Sequence, residues 1–172
     1  PKPLTITADG DTKTYDGTPL TKNTYTNTAL ATGDSIESVT VTGSQTEVGS
    51  SNNVPSAAVI KNGSVDVTSN YDITYANGTL TVSKATNSVT VSITGWTYGA
   101  AANAPTSTAT FGTATYSYSD AENGTYTSTV PSTAGTWYVK ATVAGTANYD
   151  GAEATQSFVI AQKAITITAD SD

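Results

Sequence analysis

The side chains best suited to chemistry in this chain are a few carboxylates. Asp9 and Asp11 flank Gly10, Asp16 follows shortly after, and the same pattern returns as Asp170-Ser171-Asp172. A D-x-D turn joined by a third acid is the beginning of a calcium site, but Ca²⁺ takes about six to eight oxygen ligands. Asp and Gly are also ordinary turn residues whose side chains bond the local backbone. The preferred reading is a solvated turn, with Asp9, Asp11 and Asp16 as a weak calcium candidate and no cofactor required. A second group is aromatic. Tyr116, Tyr118 and Tyr138, with Trp96 and Trp137, are the side chains that could stack on a sugar ring. Aromatics fill cores as readily. Trp137 falls in phase with Val139 and Val143 and is expected to be buried, whereas Tyr138 shares the other face with Lys140 and Thr142. Glycan contact through Tyr138, Tyr116 and Tyr118 is therefore weighed against core packing, with Tyr138 the better exposed. Lys13, Lys22, Lys61 and Lys140 could be read as partners in Lys–Asn or Lys–Asp cross-links. Each sits among polar neighbours, where a solvated Lys guarding a sheet edge is the simpler role.

What is missing excludes more. The 172 residues include no Cys, His, Met or Arg. That removes disulfides, thiolate metal sites, imidazole ligands and the His-dependent nucleophiles. No residue supplies a tuned general base, so no catalytic residue is assigned and no enzyme is expected. Seven Lys against 14 acids give a net charge of −7, which repels phosphate backbones and argues against nucleic acid. Apolar runs of a few residues are too short for membrane insertion. No basic segment leading into an apolar one opens the chain, which reads as cytoplasmic or as a piece of a longer exported protein. Thr and Ser number 36 and 18, and this hydroxyl-rich, sulfur-free composition favours the exported setting.

The elements that must carry these residues are strands. Leu4, Ile6 and Ala8 alternate with Thr5 and Thr7, and Val89, Val91 and Ile93 with Thr90 and Ser92. The longest alternation runs Trp137, Val139, Ala141, Val143. Such β-branched, period-two runs predict half-buried strands with little or no helix. Asn62-Gly63, Asn77-Gly78 and Asn123-Gly124 read as turns, not glycosylation sequons, and a two-residue hairpin is expected at Asn77-Gly78. The fold class is all-β.

A repeat sets the organisation. Residues 165–172 copy 4–11 at six of eight positions, at an offset of 161. Asn70-Tyr71-Asp72 and Asn148-Tyr149-Asp150 each precede a Lys-Ala pair, at 84–85 and 163–164, by a similar distance. The order and spacing of these landmarks give one module at 1–84, a second at 85–164, and the first strand of a third at 165–172. Strand-like residues run through Val82-Ser83-Lys84-Ala85 without a Gly or Pro linker, so a stiff, elongated tandem is expected.

Tyr15-Asp16-Gly17-Thr18-Pro19-Leu20, Gly33-Asp34, Asn70-Tyr71-Asp72-Ile73 and Gly78-Thr79-Leu80-Thr81-Val82 together resemble the YDG-type repeat of bacterial surface proteins. Tyr98-Gly99-Ala100, Ala134-Gly135-Thr136-Trp137-Tyr138 and Asn148-Tyr149-Asp150 resemble the YGX-type MBG, or mostly β-grasp, repeat. The resemblance implies two tandem β-grasp-like modules in an extracellular, cell-surface or secreted bacterial protein. An immunoglobulin-like sandwich is the alternative for the second. It implies a structural spacer presenting a distal binding domain, with neighbouring repeats of the same chain as partners. A binding module for glycans or host surface proteins is the other class. A monomer is expected.

Overall fold

The structure is a computed structural model and describes residues 1–168. The chain is all-β, and the single helical turn among the described residues is a 3₁₀ turn at Thr68–Asn70. It divides into two compact units, Pro1–Ala85 and a second beginning at Thr86.

In the first unit the strands are β1 (Lys2–Ala8), β2 (Asp11–Thr14), β3 (Tyr25–Asn27), β4 (Asp34–Thr42), β5 (Gly49–Asn62), β6 (Val65–Asp66), β7 (Tyr71–Ala76) and β8 (Gly78–Ser83). The alternation read from the sequence decides which face is buried: Leu4, Ile6 and Ala8 point inward while Thr5 and Thr7 lie between them, half-buried. β1 runs parallel to β7 from Lys2↔Tyr71 to Thr7↔Ala76 and antiparallel to β3. After a kink at Asp9-Gly10, β2 runs parallel to β8 from Asp11↔Leu80 to Thr14↔Ser83, in the same register. The opening and closing stretches of the unit thus lie side by side, pointing the same way. β5 pairs antiparallel with β8 over its first part and with β4 over the rest. Ala57, with φ 51°, sits where the β4–β5 register shifts, and the Ala58 N–H donates to the Tyr75 hydroxyl at 2.8 Å. Leu4, Ile6, Ala58, Ile60 and Tyr71 form the main core, and Leu20, Leu80 and Val82 a second.

One expected hairpin is absent. β7 and β8 do not pair with each other; each pairs in parallel with the N-terminal strands. Gly78 is buried, and a Cβ there would lie 2.4 Å from the Asp9 carbonyl oxygen. Its glycine serves close approach of two kinked strands, a demand that local sequence does not distinguish from a turn. The Asn62-Gly63 turn does join antiparallel strands, β5 and β6, with Gly63 at φ 59°. Asn123-Gly124 lies in a loop whose ends, Tyr118 and Thr127, pair antiparallel.

In the second unit the strands are β9 (Val89–Ser92), β10 (Trp96–Thr97), β11 (Thr106–Ala109), β12 (Thr115–Ser119), β13 (Gly135–Val143) and β14 (Ala152–Ala161). They form a four-stranded sheet ordered β10-β14-β13-β12 and a two-stranded sheet of β9 and β11. The core is Ile93, Tyr118, Val139, Phe158 and Ile160, with Trp96, Tyr116 and Trp137 packed around it. Beyond β14, residues 162–168 belong to no strand, and Ile165 and Ile167 are exposed.

Candidate functional site

The three candidate calcium ligands do not converge. Asp9 accepts the Thr24 hydroxyl proton at 2.5 Å, and Asp11 accepts the Thr12 N–H at 2.8 Å and pairs with Lys22 at 3.5 Å. Asp16 accepts from Lys13, from the Thr18 N–H at 2.9 Å and from the Thr18 hydroxyl at 2.7 Å. Lys13 also donates to the Thr18 carbonyl, so ammonium and carboxylate together lock the turn that Gly17, at φ 79°, permits. The Lys13 ammonium, followed by the Thr18 donors, holds the Asp16 carboxyl well below the usual carboxylate range. Among the described residues no group of three or more acids is gathered in a way that could hold a metal ion. The echo Asp170-Ser171-Asp172 lies outside the described residues. The other lysines read as cross-link candidates are ion-paired, Lys61 with Glu37 at 2.8 Å and Lys140 with Glu153 at 3.4 Å.

The aromatics separate by face. β12 pairs with β13 so that Tyr116 stands opposite Ala141 and Tyr118 opposite Val139, which puts both tyrosines on the core side. Tyr118 is buried and packs edge-on against Phe158, and Tyr116 donates its hydroxyl proton to Ser107 at 2.8 Å. Tyr118 therefore has no ring face to offer a ligand. Tyr138 is on the opposite side, between Ser119 and Ser157, and is half-buried. Trp137 points toward the core as its phase required, but it is half-buried, its indole N–H donating to the Thr133 carbonyl at 3.0 Å.

Sequence reading missed a concavity on the second unit. About 490 Å³ in volume, it is lined by Trp96, Tyr98, Gly99, Val130, Pro131 and Thr133. Trp96 stacks on Phe158 with centroids 5.2 Å apart, while Tyr98 is 51 % exposed. The signal was in the Tyr98-Gly99-Ala100 motif, which sequence reading took as a repeat motif alone.

The recurring tyrosines have a shared backbone job. The Tyr15 N–H donates to the Ser83 carbonyl and the Tyr98 N–H to the Ala161 carbonyl, both at 2.8 Å. Each extends the parallel ladder between the opening and closing strands of its unit. Each ladder is also preceded by a glycine pressed on the closing strand: a Cβ on Gly10 would lie 2.7 Å from the Thr79 carbonyl oxygen, and one on Gly95 2.1 Å from that of Val159. The turns then differ, since the left-handed residue is Gly17 in one and Gly99 in the other, one position nearer its tyrosine. The second landmark also divides in use. Tyr71 accepts the Ala31 N–H at 2.9 Å and donates to Asp34 at 2.6 Å, whereas Tyr149 stacks on Phe111 with centroids 3.9 Å apart.

Residues 4–81, which hold Tyr15 and much of this parallel ladder, match the family model of the MBG domain (YGX type). Over these residues the first unit is similar to an MBG-type module. The matching description is the YGX type, where motif reading placed this stretch with the YDG type and the next with YGX. The family is one of non-catalytic repeat modules of bacterial surface proteins. No curated protein matches the chain.

Proposed function

We propose that the chain is a structural spacer of a bacterial cell-surface or secreted protein, holding a distal binding domain away from the cell, without catalysis of its own. Its partners on this reading are neighbouring repeats of the same chain. The observation that supports it is the strand order of the first unit. Tension enters the module at β1 and leaves at β8. Because β1–β2 and β7–β8 run parallel and adjacent, pulling the two ends slides one stretch along the other. Six register pairs between β1 and β7 and four between β2 and β8 then carry load in shear. Bonds loaded in shear must break together, whereas bonds peeled from one end break singly, so this arrangement slows forced unfolding.

Single-molecule stretching of the full chain tests this. The second unit has two parallel register pairs between β10 and β14. Two unfolding steps are expected, with the first unit the last to yield. A module that extends first, or without a resolved force peak, would overturn the spacer reading.

The aromatic concavity favours a second reading, a glycan-binding module. It predicts that a glycan array detects binding that Tyr98→Ala abolishes while the fold is kept. No binding to any glycan on the array would remove it.

A further inference from the structure

The lining of the concavity beside Tyr98 narrows what could fill it. Its apolar part is the ring of Tyr98, which is 51 % exposed, with Val130 and Pro131 beside it. Its polar part is four groups: the Trp96 indole N–H and the hydroxyls of Tyr98, Ser132 and Thr133. Among the described residues none of these four hydrogen-bonds to a protein partner, and none is buried away from solvent. The indole of Trp137, by contrast, is taken up by the Thr133 carbonyl. No Lys, Asp or Glu lines the concavity. We propose that it binds a neutral glycan, with the apolar face of one sugar ring on Tyr98 and its hydroxyls on the four free groups, and that it discriminates against acidic sugars. The inference rests on the glycan-binding reading and adds the class of glycan.

An open tyrosine ring beside unused hydroxyls matches a pyranose, which has a C–H face and a rim of hydroxyls that both give and accept. A proline-rich segment is the other ligand of aromatic grooves, but it presents mainly carbonyl acceptors and would leave the lone pairs of three hydroxyls unmatched. Charge then decides between sugars. A carboxylate or sulfate entering the concavity would lose water and gain no cation, a cost that falls on the acidic ligand alone. Lys163 lines an adjoining hollow that shares Tyr98, not this one. The chain's net charge of −7 adds repulsion at longer range. The platform is also held in place before a ligand arrives. Trp96 is stacked on Phe158 and stands opposite Ile160 in the parallel ladder, and the Tyr98 N–H is fixed by the Ala161 carbonyl at 2.8 Å. The Ala100 N–H closes the following turn on the Thr97 carbonyl at 2.9 Å, with Gly99 at φ 82°. Binding therefore has little of the protein left to order.

The test applies the labelled full chain to immobilised neutral oligosaccharides, to the same oligosaccharides carrying sialic acid, uronate or sulfate, and to an oligoproline peptide. The expected result is binding to at least one neutral glycan and at least tenfold weaker binding to its acidic counterparts. A tenfold rise in salt should change the neutral signal less than twofold, since no ion pair contributes. Y98F, which keeps the ring, should hold affinity within threefold, and Y98A should lose at least tenfold. A100W, at an exposed lining position, should lose as much by filling the concavity, and circular dichroism of each variant should match the parent chain. Neutral binding that survives both Y98A and A100W would place the site elsewhere and overturn the proposal while the glycan reading stands. A preference for the acidic counterparts, or binding that falls away with salt, would do the same. Capture of oligoproline in place of every glycan, or of no probe at all, would overturn both.

Discussion

Asp34 joins three parts of the first unit through one carboxylate. It accepts from the Tyr71 hydroxyl at 2.6 Å and from the Asn62 side-chain amide at 2.8 Å, tying the turn before β4 to β7 and to the end of β5. Those two donors, Tyr71 first, lower its pKa. A carboxylate whose folded pKa lies below its unfolded value stabilises the fold above the unfolded value, near about 4, and that stability is lost as pH falls through the folded one. The urea midpoint should therefore drop between pH 7 and pH 3. Asp34→Asn should start lower at pH 7 and fall less over the same interval; equal falls in both proteins would show that Asp34 is not the group responsible. Trp137 gives a second measurement. Because it is half-buried, Trp137→Ala should cost about 2–3 kcal/mol, below the roughly 3–5 kcal/mol for a fully buried aromatic. Tyr138→Ala on the opposite face should cost less, and chemical denaturation of the two variants ranks them. The phase of Trp137 was legible in its spacing from Val139 and Val143. Its partial exposure was not, because it depends on which distant loop covers the sheet.

At the level of strands, alternation identified β1, β9 and β13 because one-sided burial writes a period of two into the sequence. Pairing partners leave no such trace. Asn77-Gly78 satisfies the residue preferences of a hairpin, yet β7 and β8 each pair with strands about seventy residues away. The acidic turn was legible for a different reason: Asp16, Gly17 and Thr18 make their bonds within a few residues of one another. The concavity beside Tyr98 was hidden because residues 96–100 and 130–133 meet only in the fold. The two kinds of glycine give a direct prediction. Gly78→Ala would drive a Cβ against the Asp9 and Ala8 backbone carbonyls, at 2.4 and 2.5 Å, where no side chain can move aside. The loss should be about 3 kcal/mol or more, at the upper end of overpacking costs. Gly17→Ala meets nothing within 4 Å and bears only the left-handed backbone at φ 79°, about 1–2 kcal/mol. If thermal melts show Gly17→Ala to be the worse of the two, Gly78 is a turn residue after all.

For the whole molecule, the division at Ala85 makes a statement about cooperativity that one pair of probes can read. Each unit has its own core, built around Ile60 in the first unit and around Val139 in the second. Units with separate cores are expected to unfold separately. Both tryptophans, Trp96 and Trp137, belong to the second unit. Tryptophan fluorescence therefore reports that unit alone, while far-ultraviolet circular dichroism reports strands in both. Ile60 is 0 % exposed, so Ile60→Ala should remove about 2–5 kcal/mol from the first unit. In guanidinium titrations the variant should keep the wild-type fluorescence midpoint, while part of the dichroism signal is lost at lower denaturant. A fluorescence midpoint that moves with the dichroism would mean that the two cores melt as one, and the force measurement would then show a single step in place of two.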